Sequence, residues 1–462
     1  MRFLLIDGQG RSAFVSSEKV SVIKDAFTPP LGLLYIGKAL EDEGHTVEIL
    51  QYFTEGKPEE QLKKSLSSVD SVGICVSTHL YKEVAQIVKN IKETDKSIPI
   101  IIGGPHCTFH PKESLKHIPL ADICLEGEGD LSIKEVAKGL EGTKKLSEIP
   151  GIYYRDHNTI KPGKPPEVIK DLDSIPFPAR HLVDKYDYGK INNSYFFKPI
   201  LTSMVTSRGC PFHCRFCSRL ALSYNTFRQR SAENVVREIV EINEKYRSVY
   251  IVDDNFLADK KRAHKIMDAL IKTKTDIDLL VSGARVDSAN CDLYKKMKKA
   301  GVKYLEFGIE SGNQEALDFY NKKITLDQIR KAVKLGRKMN FVIAGNFILG
   351  APLEIKRHIE QTIQFACSIP LDIVLFRPLM YTYGSDLWNK AVQDGNINET
   401  DGYSIVADSN KNLSSFTSDE LVNMCHNATK RFYRRPSYIA RQIGRSIMRR
   451  NFSVVKAGWG TL

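Results

Sequence analysis

Cys210, Cys214 and Cys217 lie in the run Cys210-Pro211-Phe212-His213-Cys214-Arg215-Phe216-Cys217, a C-x3-C-x2-C spacing. Cysteine thiolates are the usual ligands of iron–sulfur clusters, and three of them in one short loop hold three corners of a [4Fe–4S] cube. The fourth iron is then left without a protein ligand, open to a small molecule. A zinc knuckle is the competing reading. It normally takes four ligands in paired spacings, yet no second Cys pair follows, and His213 lies between the thiols, where a tetrahedral site is hard to close. The chain's nine cysteines are otherwise scattered, which favours thiol and metal chemistry over a disulfide frame.

Such a loop needs a scaffold that holds its thiols together. The cysteines follow an apolar run, Thr202–Thr206, the first of six expected strands; the others are Ser248–Asp253, Asp278–Ala284, Val302–Gly308, Phe341–Leu349 and Asp372–Arg377. Helical periodicity fills gaps between them at Ala232–Tyr246, Lys260–Thr273, Leu293–Ala300 and Leu326–Met339. Six βα units in a row over 196–400 predict a partial or full parallel barrel, with its active site where strands end and βα loops begin. The cysteine loop stands at such a place.

Residues 1–140 carry a second alternation. Strands are expected at Phe3–Asp7, Thr46–Leu50, Val72–Ser77, Ile98–Gly103 and Ala121–Glu126. The helices are Leu31–Glu43, closed by Gly44, then Tyr81–Glu93, a short turn after Pro111, and Leu131–Leu140. This is the pattern of a doubly wound, Rossmann-like parallel sheet, which binds ligands beyond the carboxyl ends of its strands. Those ends carry Ser77-Thr78-His79, Gly103-Gly104-Pro105-His106 and Glu126-Gly127-Glu128-Gly129, whose glycines let backbone approach a bulky ligand. The proline-rich stretch 141–195 reads as a linker with a small hairpin at Gly151–Arg155, and 401–462 as a helical, basic tail.

At 462 residues the chain is expected to hold two to four domains. The opening Met1–Asp7 is apolar for four residues before an acid, too short for a signal-peptide core, and no apolar run is long enough to span a bilayer. The expected location is therefore cytoplasmic. A net charge of +12 favours an anionic partner, and the excess sits in the tail, since Leu421–Leu462 contains no Asp or Glu. Within Ser437–Arg450, Ile439, Ile443 and Ile447 share one helical face, opposite Arg441, Arg445 and Arg449. A basic amphipathic helix suits a membrane interface; the plainer alternative is a helix whose isoleucines pack on the barrel.

The whole resembles the cobalamin-binding radical S-adenosylmethionine (SAM) proteins. Arg208-Gly209 and the cysteine loop, with Pro211 and Phe216, match that family's cluster motif. Val252-Asp253-Asp254-Asn255-Phe256, Gly308-Ile309-Glu310-Ser311-Gly312 and Gly345–Pro352 follow in the family's order. Upstream, Pro29–Tyr35, Gly103-Gly104-Pro105-His106 and Gly127-Glu128-Gly129 resemble its cobalamin half. The resemblance covers about residues 1–395. It implies that the open iron chelates SAM, that Phe216 offers backbone to adenine, and that Asp253, Asp254, Gly308, Glu310 and Ser311 line the SAM site. Ser77, Thr78, Gly103, Gly104, His106, Gly127, Glu128 and Gly129 would line the cobalamin site. The implied reaction methylates an unactivated carbon through a 5′-deoxyadenosyl radical and methylcobalamin, fed by an electron donor such as ferredoxin or flavodoxin.

Two departures stand out. The Asp-x-His-x-x-Gly loop that ligates cobalt in many cobalamin proteins reads Asp7-Gly8-Gln9-Gly10-Arg11 here, without His, and the sixth-strand Pro-Gly-Thr is replaced by Tyr383-Gly384-Ser385. Relatives with the same cofactors also cyclise or rearrange their substrates. A methylthiotransferase would need three further N-terminal cysteines in loops, whereas Cys75 and Cys124 fall in strands and only Cys107 in a loop. A nucleic-acid-binding module using the basic tail would not need an open-iron loop. The tail makes a lipid or isoprenoid-like small molecule the first substrate expectation, and a peptide or natural-product intermediate the second.

Overall fold

Runs of Ile, Val and Leu buried on both faces need helices on both sides, and the first sheet has that form. A computed structural model describes residues 1–8, 28–54, 57–191, 194–398 and 401–449. Gln9, Gly10 and Arg11 of the first loop, and the tail from Arg450 to Leu462, lie outside the described residues. Contacts divide the chain into two units, the sequence passing from one to the other between Asp187 and Tyr188.

In the first unit, β1 (Arg2–Ile6), β2 (Thr46–Leu50), β3 (Ser71–Cys75), β4 (Ile100–Gly103) and β5 (Ile123–Leu125) run parallel. The sheet order is β2-β1-β3-β4-β5, continued by β6 (Ile152–Asp156) and β7 (Thr159–Pro162). These last two are antiparallel, so the proline-rich stretch contributes a hairpin to the sheet edge. Pro162 ends the outermost strand, where it removes no ladder bond from a neighbour. Gly44 closes the first helix, Leu31–Asp42, with φ of 83°. The turn expected after Pro111 is a helix, Pro111–His117, preceded by another at Pro105–Phe109. A helix at Pro58–Leu66 was not anticipated; it buries only Leu62 and Leu66.

The second unit is built on an open, all-parallel sheet of six strands: β8 (Leu201–Met204), β9 (Ser248–Ile251), β10 (Asp278–Ala284), β11 (Val302–Glu310), β12 (Val342–Leu349) and β13 (Ile373–Pro378). Their spatial order is their chain order, as in a partial (β/α)6 barrel. Alternation decides what each face does. Leu305, Phe307 and Ile309 of β11 are fully buried in the apolar core. Tyr304, Glu306 and Gly308 point the other way and are only half-buried.

The tail corrects one expectation. Helix Pro436–Arg449 does dock on the barrel unit, but by its polar face: Gln442 and Arg445 are 4% exposed, while Ile439, Ile443 and Ile447 are 38%, 44% and 61% exposed. The reason is Asp372, fully buried at the foot of β13 and hydrogen-bonded by Arg337, Gln442 and Arg445. A buried carboxylate demands partners more strongly than isoleucines demand cover. Among the described residues, no helix is long and apolar enough to cross a membrane.

Candidate functional site

The cysteine loop is pinned at both ends by residues distant in the sequence. At its entry, Asp253 just beyond β9 accepts hydrogen bonds from Thr206 N, Thr206 Oγ1 and Ser207 Oγ, each at 2.6 Å. Burial pushes the Asp253 carboxyl up, and these donors oppose that shift. Gly209 has φ of 84°, and a Cβ there would sit 2.0 Å from the Thr226 carbonyl oxygen, so only glycine fits. On the far side, Arg215 N donates to Tyr320 O at 3.0 Å, Asn321 Nδ2 to His213 O at 2.7 Å, and Leu387 N to Arg215 O at 3.0 Å. Phe216 stands edge-on to Tyr320 at 5.3 Å, and the Arg285 guanidinium lies 3.8 Å over the Phe212 ring.

The thiols fit an iron cluster better than they fit free thiolates. Burial raises the pKa of Cys210 and Cys214, and pushes Cys217 up to about 11. The peptide N–H groups of Phe212 and Arg219 oppose this at Cys210 and Cys217, while the Lys322 and Arg285 cations oppose it at Cys214. Thiolates placed there need a bound cation as well, which iron supplies. Asn255, 1% exposed, lies beside Cys210, and its side chain, hydrogen-bonding toward that sulfur, opposes the rise of the thiol's pKa. A buried amide aimed at a cysteine sulfur suits a site where that sulfur ligates a cluster. His213 is exposed, away from any role as a fourth ligand. Among the described residues no three His, Cys, Asp or Glu side chains gather around a single-ion site; a cube takes one thiolate per iron and does not need that convergence.

Around the loop, the anticipated SAM-site residues come together only in part. Glu310, with φ of 68°, pairs with Lys322 at 2.7 Å, both buried. Burial disfavours the Lys322 ammonium, but Glu310 beside it holds it charged. A Cβ on Gly308 would meet Glu310 Oε1 at 2.5 Å and Lys322 Nζ at 2.9 Å, so glycine makes room for the pair. Arg285 Nη2 donates to Lys322 O at 2.8 Å. Asp254 is half-buried, 3.5 Å from Arg219 Nε. Ser311 is fully buried and hydrogen-bonded to Thr362 Oγ1 at 3.0 Å. Lys322 and Arg285 were not singled out from the sequence, and no local motif marks them; Asn255 lies in the Val252–Phe256 motif, but no role was assigned to it.

In the first unit, the glycine turns stand at the carboxyl ends of β4 and β5, and Ser77-Thr78 beyond the end of β3. Gly104, with φ of 106°, packs its Cα where a Cβ would be 3.0 Å from Cys75 Sγ and Val76 O. Gly103 lies against Leu125, and Gly129 against Ile36. Gly127, at φ of 79°, donates its N–H to Thr108 Oγ1 at 3.1 Å, and Glu128 Oε2 accepts from Ile169 N at 2.9 Å. Thr78 is half-buried, and Ser77 Oγ is shielded from solvent with no partner among the described residues, as a polar ligand beyond β3 would require. His106 is fully buried, its ring stacked on Tyr81 at 5.1 Å and within 6 Å of His110 and His117. Burial pulls its pKa down to about 3, so the imidazole is neutral.

Comparison with known proteins assigns both halves. The Radical SAM superfamily model matches residues 204–366, and the B12 binding domain model residues 25–137. The chain is 30% identical over 423 residues to an uncharacterized methyltransferase of Pyrococcus horikoshii, covering 90% of each sequence. It is 29% identical to the cytidylyl-2-hydroxyethylphosphonate methyltransferase of Streptomyces wedmorensis, over 70% of this chain and 69% of that one. In fold it is similar to the cobalamin-dependent SAM radical enzyme OxsB, with a TM-score of 0.69 and 19% identity, covering 98% of this chain and 72% of that one. The chain belongs to the B12-binding radical SAM family. It is a cobalamin-dependent radical SAM enzyme, and its cofactors are a [4Fe–4S] cluster, SAM and cobalamin.

Proposed function

We propose that the enzyme methylates an unactivated carbon of a small-molecule substrate. The observation that carries this reading is the three-thiol loop, with no fourth cysteine in it, in the same chain as the glycine-turned ends of a B12-binding sheet. The methyltransferase relatives support it over ring closure. When bound, the cluster delivers an electron that splits SAM into methionine and a 5′-deoxyadenosyl radical, and cobalamin carries the methyl group.

The chain's own residues then have the following work. Cys210, Cys214 and Cys217 hold three irons, and Asp253 holds the loop's entry through Thr206 and Ser207. Asp254 and the Glu310–Lys322 pair offer both signs of charge to the zwitterionic methionine end of SAM, while Phe216 offers backbone to its adenine. Arg285, laid over Phe212 and bonded to the Lys322 carbonyl, ties the loop to that pair. Ser77, Thr78 and the turns at Gly103-Gly104 and Gly127-Glu128-Gly129 cradle cobalamin, with neutral His106 packed beneath them.

The test is turnover with SAM bearing a deuterated methyl group. Methylation predicts the label in the product, with 5′-deoxyadenosine and S-adenosylhomocysteine formed in equal amounts. Formation of 5′-deoxyadenosine and product with no S-adenosylhomocysteine would point to cyclisation or rearrangement instead.

A further inference from the structure

The inner face of the barrel carries polar groups that neither the cluster loop nor the SAM residues use. Glu306 on β11 accepts from Tyr250 Oη of β9 at 2.6 Å, from Tyr304 Oη at 3.3 Å, and from Asn346 Nδ2 of β12 at 2.8 Å. The Arg377 cation of β13 faces the same carboxylate. All five residues are half-buried, whereas their strand neighbours Ile251, Leu305, Phe307, Phe347 and Phe376 are buried against the helices. A closed barrel usually fills its interior with branched apolar side chains; here polar side chains that keep some exposure line the inner face. Glu306 lies one strand alternation below Gly308, so about 7 Å along β11 from the SAM site. Phe197 stands edge-on to Tyr304 at 5.9 Å, toward the amino ends of the strands.

One atom of this network is unfinished. The bond from Asn346 Nδ2 to Glu306 Oε1 fixes the orientation of the amide. Asn346 Oδ1 is thereby left shielded from solvent, with no partner among the described residues. A structural network would be expected to close on itself, since a buried acceptor without a donor is unfavourable. A carboxylate that accepts three hydrogen bonds also keeps room for a fourth.

We infer that Asn346 Oδ1 and Glu306 form a substrate-recognition subsite, which takes a hydrogen-bond donor of the substrate: an amine, an amide N–H or a hydroxyl. The inference rests on the radical SAM reading and adds a requirement to it. Whatever its remaining skeleton, the substrate carries a donor at the end that enters the barrel. A site built to pair with a donor rejects an analogue lacking it by roughly 10^4-fold or more.

The experiment is saturation-transfer NMR on the holoenzyme, with ethanolamine, acetamide and 1-butanol as donor probes and diethyl ether as the donor-free control. The donors should bind the wild type in preference to the ether, and their binding should fall about tenfold in Asn346→Leu, the loss of roughly one hydrogen bond. Where Asn346→Leu fails to load its cluster, Asn346→Ser supplies the same comparison. Donor probes that bind no better than the ether, or equally well with and without Asn346, overturn the subsite. Absence of 5′-deoxyadenosine from the wild type would instead strike the radical SAM reading, which the probe measurement does not touch.

Discussion

Arg445 Nη1 donates to both carboxylate oxygens of Asp372, at 2.8 and 2.9 Å, and both side chains are buried. This pair orients the last helix. It spends the tail's positive charge on the barrel and turns the isoleucines outward. Removing Arg445 takes two charge-assisted hydrogen bonds from a buried carboxylate that keeps Arg337 and Gln442, so Arg445→Met should destabilise the enzyme by about 1.5–3 kcal/mol, read as a lower urea midpoint. Ile443→Ser should change stability by only about 0.5 kcal/mol, as for an exposed site. The opposite ranking would mean that the isoleucine face is the docked one.

The outward isoleucines are the part of the tail suited to a membrane surface, since apolar area drives interfacial binding. Flotation with vesicles containing anionic lipid should recover the wild type with the lipid, and lose the triple variant Ile439→Ser, Ile443→Ser, Ile447→Ser to the bottom fraction. Equal recovery of the two removes the isoleucines as a membrane contact.

The histidine cluster of the first unit predicts acid sensitivity. Burial, with mutual repulsion, pulls His106 to about 3 and His110 to about 4; His117 is also lowered by burial, while Glu113 partly supports charge on His110 and His117. Unfolded histidines titrate near 6.5, so below that pH the unfolded chain binds more protons than the folded one. Stability is therefore present above about pH 6.5 and lost as pH falls toward 4, with His106 and His110 together approaching about 2.7 kcal/mol per pH unit near pH 5. His106→Phe keeps a ring on Tyr81 but cannot be protonated. Its acid limb, followed by urea unfolding at stepped pH, should be shallower; an unchanged slope contradicts the buried neutral assignment.

Asn255 predicts a redox effect. An amide N–H directed at a cluster sulfur stabilises the more negative reduced state, so its removal should lower the potential. In Asn255→Leu, the midpoint of the reduced-cluster EPR signal should move to a more negative value. A variant with less iron but an unmoved midpoint would make Asn255 a packing residue only.

What could be read from the chain alone follows contact range. Each strand or helix is a local periodicity, so both halves of the fold were legible, and the cysteine loop, eight consecutive residues, stood out as the candidate cluster site. Lys322 was not, because nothing near it in sequence marks its pairing with Glu310. Glu306 was hidden for the same reason, since Tyr250 reaches it from 56 residues away. The last helix is the clearest case. Its periodicity gave two faces correctly, but which one turns inward is set by Asp372, 73 residues before Arg445. Asp253 shows the reverse limit: its motif was visible, yet its carboxylate serves Thr206 and Ser207 in the loop.

The central claim is that three thiols and a B12-binding sheet serve one radical SAM enzyme. Anaerobic reconstitution with iron, sulfide and cobalamin, followed by addition of SAM and a strong reductant, tests it most directly. The wild type should hold four irons per cluster and one cobalamin, and release 5′-deoxyadenosine. Cys210→Ala should keep the cobalamin and lose both the cluster and the 5′-deoxyadenosine. Cluster assembly and 5′-deoxyadenosine release that persist in Cys210→Ala would contradict the account.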